Sequence, residues 1–326
     1  MTTRTNFAQA TIREMSSGRE AADRVEEMLR GSRVALARVL SQIENRPRSV
    51  DGLLKPLAGR IGRAVRIGFT GPPGAGKSTL VTAYARLLRE CDQRIGVLAV
   101  DPTSPFSGGA LLGDRVRMSA LASDENIFVR SLATRGGLGG LAEAAGDMAD
   151  VFDAVGYDTV IFETVGVGQS ELEVAQHADC TVVVLVPESG DSIQGMKAGL
   201  MEIADVFVLN KADREGADRF ASELRAAMHL KDWGAWTPPV VKTVAVKGEG
   251  IAEFHDHVSR YLSHLRETGL LAKRRAARIR RRCQRLVEHR LLTDFWNDER
   301  RAALESGIRD LKSPYEISSE LLKRDD

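Results

Sequence analysis

Short apolar runs alternate with helical stretches through the middle of the chain. The runs are Val65–Thr70, Ile95–Val100, Ile127–Leu132, Thr159–Phe162, Thr181–Val186, Val206–Leu209 and Val240–Val244. Strands that alternate with helices predict an α/β fold, in which a mostly parallel, doubly wound sheet has helices on both faces. Such cover explains why Thr181–Val186 is continuously apolar rather than alternating, and we predict that this run is a central strand.

A helical pattern precedes this α/β segment. From Arg19 to Glu44 apolar residues recur at roughly helical spacing, with an interruption at Gly31, which predicts an N-terminal arm of two helices. Asn45-Arg46-Pro47 ends the second helix, because proline cannot continue the backbone ladder and restricts the residue before it. A linker is expected from there to about Gly62.

A strongly basic helix is predicted after the α/β segment, from Leu270 to Leu292. Nine Lys or Arg residues fall between Lys273 and Arg290, which is typical of a solvated helix face. A rough apolar stripe suited to packing, including packing in a dimer, is formed by Ile279, Cys283, Leu286 and Leu291. The predicted organisation is an N-terminal helical arm at residues 1–58, an α/β domain at 59–262 and a C-terminal helical dimerisation extension at 263–326.

Composition narrows the class of protein further. The 326 residues carry 46 Lys or Arg against 45 Asp or Glu, a net charge of +1, so nucleic acid is not an expected partner. Cys91, Cys180 and Cys283 are far apart and have no paired spacing for zinc or disulfides. No apolar run is long enough to span a bilayer, and no secretory signal is evident. We therefore predict a cytoplasmic protein with no membrane partner.

A glycine-rich segment directly follows the first apolar run. It reads Gly71-Pro72-Pro73-Gly74-Ala75-Gly76-Lys77-Ser78 and satisfies G-x-x-x-x-G-K-[ST] between a predicted strand and a predicted helix. Glycines let the backbone wrap around phosphate oxygens, so that N–H groups and the positive end of the helix face the anion. We predict that Lys77 reaches the β- and γ-phosphates, that Ser78 gives its hydroxyl oxygen to Mg²⁺, and that Thr79 begins the helix and also lies at the nucleotide. The sequence thus predicts a P-loop NTPase.

Two acidic residues follow apolar runs, at the carboxyl ends of predicted neighbouring strands. Asp101 follows Ile95–Val100, and Glu163 follows Thr159–Phe162 and opens Glu163-Thr164-Val165-Gly166. Ligands bind at this end of open α/β sheets, so both carboxylates are expected near Mg²⁺. Glu163 stands where a Walker-B carboxylate would, and Gly166 is expected to present its N–H to the γ-phosphate. The predicted catalytic residues are Lys77, Asp101 and Glu163, although either acid taken alone also fits a plain strand cap.

A third motif predicts the base. Asn210-Lys211-Ala212-Asp213 follows the run Val206–Leu209 and fits N-K-x-D, in which the Asp213 carboxylate accepts hydrogen bonds from the guanine N1–H and amine. Adenine has an acceptor at the first of these positions and would leave the carboxylate unpaired, so GTP is expected over ATP by a large factor. Ala245-Val246-Lys247, after the next run, would complete the base pocket through backbone N–H groups.

The sequence offers no clear residue to position the water that attacks the γ-phosphate. No glutamine follows Gly166 directly, and Gln169 lies three residues further on. In Ras-like enzymes a glutamine orients the attacking water. We therefore predict slow intrinsic hydrolysis.

Beyond the general motifs, the sequence resembles the MeaB/ArgK (MMAA-type) GTPases of the SIMIBI class of P-loop GTPases, which are chaperones of the B12-dependent methylmalonyl-CoA mutase. The resemblance covers nearly the whole chain. It is carried by Gly31-Ser32-Arg33-Val34-Ala35-Leu36-Ala37-Arg38, the P-loop, Val100-Asp101-Pro102-Thr103-Ser104-Pro105, Gly108-Gly109, Leu112-Gly113-Asp114-Arg115, Thr134-Arg135-Gly136, Glu163-Thr164-Val165-Gly166-Val167-Gly168-Gln169 and Asn210-Lys211-Ala212-Asp213.

The resemblance implies three mobile segments around the nucleotide. Switch I would be Asp101 to Asp114, with Asp101 and Asp114 near Mg²⁺, and switch II would be Glu163 to Gln169. Switch III would carry Asp191, Gln194 and Lys197, although a plain polar loop before a helix explains these letters equally well.

The resemblance also implies partners. Members of this family look like homodimers held by their C-terminal helices, which gate adenosylcobalamin delivery to the mutase and protect it. A mutase partner that stimulates GTP hydrolysis is therefore implied, with an adenosyltransferase as a further candidate partner. The cofactors implied are GTP or GDP and Mg²⁺, and the chain does not itself need to hold cobalamin.

Three other functions fit the residues less well. A nickel-delivery GTPase would need a metal-binding cluster, and His255 and His257, the nearest pair of histidines, fit a surface helix better. A protein kinase, as the old ArgK name suggests, would need a pocket for an acceptor substrate, and the sequence shows none. A nucleic-acid-binding protein using Lys273 to Arg290 is disfavoured by the aromatic content of 5% and the small net charge.

Overall fold

The structure is a computed structural model, and it describes residues 20–45, 50–101, 118, 121, 123–133, 138–164, 176–187 and 199–323. The strands are β1 (Val65–Thr70), β2 (Ile95–Asp101), β3 (Ile127–Ala133), β4 (Thr159–Thr164), β5 (Cys180–Leu185), β6 (Val206–Asn210) and β7 (Val240–Thr243). The α-helices are residues 20–29, Arg33–Asn45, Asp51–Leu54, Lys77–Glu90, Leu138–Ala154, Leu200–Ile203, Ala217–Met228, Ile251–Glu267, Leu270–Phe295, Asp298–Arg309 and Pro314–Leu322. Short 3₁₀ helices span Lys55–Arg60 and Ala245–Lys247.

The seven strands in the described residues belong to one sheet in the order β3-β2-β4-β1-β5-β6-β7. Every strand pairing is parallel, as the alternating pattern predicted. The chain moves from β1 to one side of the sheet and then to the other, so that β4 and β5 flank β1. Ligands bind at the carboxyl ends of strands where the order reverses in this way, which directs attention to the end of β1.

The sheet is buried on both faces. β4, β5 and β6 are buried at every position, and β5 lies in the interior beside β1, which confirms the prediction made from its continuous apolar run. Successive side chains of a strand point to opposite faces. One core cluster joins Ile67 and Val97 to the helices Lys77–Glu90 and Ile251–Glu267, and a second joins Leu98 and Val100 to the opposite layer.

The N-terminal arm helix, Arg33–Asn45, is part of that second cluster. Its residues Leu36, Val39 and Leu40 are almost wholly buried together with Leu98 and Phe152. The predicted end of this helix at Asn45 is confirmed. The arm therefore closes one face of the sheet and shares the core of the α/β domain.

The prediction of a linker up to about Gly62 is wrong for residues 51–60. Residues 51–60 form a short helix and a 3₁₀ turn, and Leu53 and Leu57 are fully buried. Gly52 and Pro56 favour loops, but two leucines four residues apart fall on one side of a helical segment and bury against the second cluster. The burial of these leucines outweighs the local preference of Gly52 and Pro56.

The chain divides into two compact units, residues 1–271 and 272–326. In the second unit, Asn297 caps the helix Asp298–Arg309, and Ser313 and Glu316 form a capping box at Pro314–Leu322. Gly307 allows these two helices to approach, since a Cβ there would lie 2.7 Å from Ile317 Cγ1. The predicted boundaries after residues 58 and 262 stay predictions.

The basic helix, Leu270–Phe295, forms as predicted and extends three residues further. None of its residues is buried, so the described chain does not cover the apolar stripe that we expected to pack. Ile279, Leu286 and Leu291 are 63%, 51% and 64% exposed. No helix in the described part of the chain has both the length and the apolar character to cross a membrane.

Candidate functional site

The P-loop lies between β1 and the helix Lys77–Glu90. Gly71 has φ 137°, and a Cβ at this position would lie 2.1 Å from the Val184 carbonyl oxygen in β5. Gly76 has φ 82° and would place a Cβ 2.4 Å from Asn210 Nδ2. The first clash is with backbone and the second with a buried, hydrogen-bonded side-chain nitrogen, and both φ values are left-handed, so the loop path favours glycine at both positions. The helix begins at Lys77, earlier than the predicted start at Thr79, because left-handed Gly76 turns the chain directly into it.

Lys77 points back over this loop. Its side chain is buried, and Nζ donates hydrogen bonds to the carbonyl oxygens of Gly71 at 2.6 Å and Pro72 at 3.0 Å. A cation at the start of a helix adds to the positive potential that the helix dipole creates there. The loop, the helix N-terminus and this ammonium together suit an anion such as a phosphate chain.

A buried carboxylate lies next to the P-loop serine. Ser78 Oγ donates a hydrogen bond to Glu163 Oε1 at 2.5 Å, although the two residues are 85 positions apart. β4 continues to Thr164 rather than ending at Phe162, so Glu163 is a strand residue paired with Phe69 of β1 and Ala99 of β2. Parallel pairing on both sides explains the longer strand and fixes where the carboxylate lies.

These oxygen groups fit the predicted cation. A serine hydroxyl and a carboxylate beside a phosphate-binding loop are the hard oxygen donors that Mg²⁺ prefers. Asp101 is the last residue of β2, which pairs with β4, so its backbone is at the same edge of the sheet. The Asp101 side chain is outside the described part of the structure. The same holds for Asp114, for Gly166 and Gln169, and for Asp191, Gln194 and Lys197, so the predicted roles of these residues stay predictions.

The N-K-x-D motif is joined directly to the P-loop. Asn210 is buried at the end of β6, and its Nδ2 donates to the Ala75 carbonyl oxygen at 2.9 Å. Its Oδ1 accepts from the Ala245 backbone N–H at 3.1 Å and the Thr243 hydroxyl at 3.2 Å. The carboxamide thus connects the phosphate loop, the end of β6 and the loop after β7. The sequence analysis predicted roles for Asn210 and for residues 245–247 at the base, but it did not single out Thr243.

Asp213 lies beyond a left-handed residue, Lys211, whose φ is 57°. The Asp213 carboxylate is partly exposed and lies 3.4 Å from Lys247 Nζ. From the sequence we expected only the backbone of residues 245–247 to contribute here. Ala245 is buried and Val246 is 79% exposed, so the 3₁₀ turn has one side against the core and the other in solvent.

The helix behind the P-loop is anchored by a buried tyrosine. The Tyr84 hydroxyl is hydrogen-bonded to His255 Nδ1 at 3.2 Å, and the Tyr84 ring packs edge-on against Phe254. Burial raises the pKa of Tyr84 far above its ordinary value. His255 thus packs against the helix that follows the P-loop.

The nickel-delivery alternative requires a metal-binding cluster. In the described ranges no three His, Cys, Asp or Glu residues form a group able to hold a metal ion.

Comparison with known proteins supports this description of the chain. The family model described as methylmalonyl-CoA mutase-associated GTPase MeaB matches residues 36–300. A Pyrococcus abyssi protein whose name gives it as a candidate GTPase is 43% identical over 307 residues, covering 92% of this chain and 95% of that protein. The mouse protein named methylmalonic aciduria type A homolog, mitochondrial, is 34% identical over 317 residues, covering 90% and 76%. A crystal structure described as an LAO/AO transport system kinase superposes with a TM-score of 0.71 at 29% identity, covering 93% and 96%.

Proposed function

This chain belongs to the MeaB family of methylmalonyl-CoA mutase-associated GTPases, and from that premise we propose that it is a GTP-hydrolysing chaperone of methylmalonyl-CoA mutase. Its activity is GTP hydrolysis, as the family and the relatives named as GTPases indicate. In the proposed role, the chain gates adenosylcobalamin delivery to the mutase and protects that enzyme. The family description and the name of the mouse relative support a partner in methylmalonyl-CoA metabolism.

The observation that carries the nucleotide assignment is the buried Asn210 carboxamide. It holds the N-K-x-D motif against the P-loop carbonyl of Ala75, so these two motifs lie at one edge of the sheet, which supports their joint role at one nucleotide. We propose that Asp213 accepts the guanine N1–H and amine hydrogens, while residues 245–247 complete the base pocket. A nucleotide with another base would leave that carboxylate without its donors.

We propose that the P-loop residues bind the phosphates and that the neighbouring oxygen groups bind Mg²⁺. The backbone N–H groups of residues 74–79 and the Lys77 ammonium bind the β- and γ-phosphates and stabilise the charge that develops on them during hydrolysis, while Gly71, Pro72 and Pro73 shape the loop around them. Ser78 and Glu163 would hold Mg²⁺ with Asp101 and Asp114, and this ion, when bound, neutralises phosphate charge. Hydrogen bonding of Ser78 to Glu163 fixes the direction of the hydroxyl oxygen in this set. Gly166 would present its N–H to the γ-phosphate.

The remaining proposals concern the oligomeric state, a further partner and the cellular location. We propose a homodimer formed through the basic helix, because its apolar residues Ile279, Leu286 and Leu291 are exposed in the single chain. An adenosyltransferase is a further proposed partner, and a cytoplasmic location stays a prediction. A monomer in sedimentation velocity would contradict the dimer.

We predict that the partner controls the rate. Because no glutamine directly follows Gly166, turnover by the protein alone is expected to be slow, and a B12-dependent acyl-CoA mutase is expected to raise it at least about tenfold. The measurement is phosphate release from GTP by purified protein with and without the mutase. Lys77→Ala serves as the blank, and Lys55→Ala, which removes an exposed lysine, is the matched control.

The outcomes separate the parts of the proposal. Fast turnover by the protein alone would contradict the slow intrinsic rate, and no effect of the mutase would remove the partner while leaving the GTPase. Transfer of the γ-phosphate to a protein acceptor would instead favour the kinase alternative that the name of the similar crystal structure suggests.

A further inference from the structure

The strand β3 lies at one end of the strand order, so only its inner side pairs with another strand. On that inner side, the Asn126 carbonyl oxygen accepts from the Ile95 N–H of β2 at 2.9 Å. In a parallel ladder the backbone groups of successive residues face alternate sides, so the carbonyl groups of Glu125 and Ile127 face outward. An open edge of this kind is a template on which another strand can pair.

Arg33, the first residue of the arm helix Arg33–Asn45, binds these two outward carbonyl groups. Its Nη1 donates to the Glu125 oxygen, and its Nη2 donates to the Ile127 oxygen at 2.9 Å. The guanidinium also lies over the Phe128 ring, 5.3 Å from the ring centroid. A rigid fork with two donors thus takes the place that the N–H groups of a neighbouring strand would fill.

A second contact holds the arm helix along the same strand. Arg130 of β3 forms an ion pair with Glu44, near the other end of the arm helix, and the two side chains are 18% and 15% exposed. The arm helix is therefore fastened to β3 close to both of its ends. Of these two contacts, the one made by Arg33 is the one that uses backbone groups of the strand edge.

The opposite edge of the sheet needs less cover. Strand β7 has only four residues, Val240–Thr243, is preceded by Pro238 and Pro239, and carries Lys242. Short length, proline and lysine each discourage strand pairing at an edge. Strand β3 has seven residues, Ile127–Ala133, which are mostly apolar and include no proline. It is thus the edge of this sheet that would pair more readily with another strand.

We propose that Arg33 closes the β3 edge against pairing with a second copy of this chain. A strand edge carries both donors and acceptors, so two copies of one edge are complementary to each other. With the guanidinium in place, the two carbonyl groups at the start of β3 are already bonded and do not accept from a second strand. This role of Arg33 is independent of the nucleotide and of the mutase.

The test is the mass in solution of a variant that lacks the two donors. Arg33→Met keeps the length of the side chain and an apolar contact with Phe128 but removes the guanidinium. In sedimentation equilibrium we expect a weight-average mass at least about twice that of the wild type, rising with protein concentration. Circular dichroism during heating shows that the variant is folded. If it does not fold, Arg33→Lys, which offers one compact ammonium to two carbonyl groups, takes its place with the same expectation.

Two controls leave the Arg33 contact intact. Glu44→Gln removes the charge that pairs the arm helix with β3, and Arg225→Met removes the arginine that reaches the Val240 carbonyl oxygen of β7 at 3.5 Å. Both variants are expected to have the mass of the wild type. If Glu44→Gln raises the mass as much as Arg33→Met does, a loosened arm rather than an open strand edge causes the association, and the role of Arg33 is refuted.

A proline on the strand separates edge pairing from other association. By the same alternation the Ser131 N–H faces outward, so Ser131→Pro removes an edge donor and leaves the ladder with β2 in place. Arg33→Met combined with Ser131→Pro is expected to return to the mass of the wild type. A wild-type mass for Arg33→Met alone, or an increase that survives the proline, would overturn the inference.

Hydrogen exchange gives a second readout if the double variant does not fold. In the large species formed by Arg33→Met, pairing at the edge is expected to slow amide exchange within residues 127–133, because outward N–H groups become bonded. Exchange in this strand that matches the wild type would show that the copies associate elsewhere and would equally overturn the inference.

Discussion

Asp213→Asn is expected to lower the affinity for GTP at least about 100-fold and to make XTP the preferred nucleotide. The carboxylate accepts two hydrogens from guanine, whereas a carboxamide would place a donor against one of them. Xanthine carries a carbonyl oxygen where guanine has its amine, and so it accepts a hydrogen bond from the new NH₂ group. Titration of the wild type and of Asp213→Asn with Mg-GTP and Mg-XTP measures the change in nucleotide preference.

A neighbouring carboxylate provides the control for this change. Asp218 lies on the helix that follows the motif, is largely exposed and pairs with Lys242. Asp218→Asn removes the same charge close by and is expected to leave both affinities within about twofold, since an exposed ion pair contributes little. If Asp213→Asn binds GTP as well as Asp218→Asn does, the base is read elsewhere.

Leu40→Ala is expected to lower the free energy of unfolding of the first unit by about 3 kcal/mol. Leu40 is fully buried in the arm helix, where it shares a cluster with Leu98 and Phe152. Its truncation leaves a cavity between the arm and the sheet. The measurement is urea unfolding followed by circular dichroism, with Val34→Ala as the matched control.

Val34 lies on the same helix but is 61% exposed, so its truncation is expected to cost less than about 0.5 kcal/mol. The comparison distinguishes two structures of the arm. If the arm were an appendage that does not support the core, Leu40→Ala would leave the midpoint of the main transition in place. Equal midpoints for the two variants would therefore contradict the packing described here.

The sheet could be predicted closely because its signal is local. Runs such as Thr181–Val186 are apolar at consecutive positions, and only a strand covered on both faces buries them all. The P-loop follows β1 directly, as predicted, whereas Glu163 and Asn210 lie in the last residues of β4 and β6 rather than after them. Strand order depends on contacts between distant segments, and no local pattern specifies it.

Three features could not be predicted from the sequence, each for a physical reason. Leu53 and Leu57 stand in a segment with Gly52 and Pro56, and only the presence of the second cluster makes that segment helical. The stripe that includes Ile279 is amphipathic, but a pattern does not tell whether the same chain covers it. Thr243 could have been noticed as a polar residue at a strand end, although its meeting with Asn210 depends on the register of β6 and β7.

One P-loop site is expected to hydrolyse GTP and to reject ATP. The most direct test is the kcat/KM of the purified protein for GTP and for ATP, measured for the wild type and for Lys77→Ala. We predict that GTP is favoured at least about 100-fold and that Lys77→Ala lowers the GTP value at least about 100-fold. Equal use of the two nucleotides, or GTP turnover that survives the loss of Lys77, would contradict the claim.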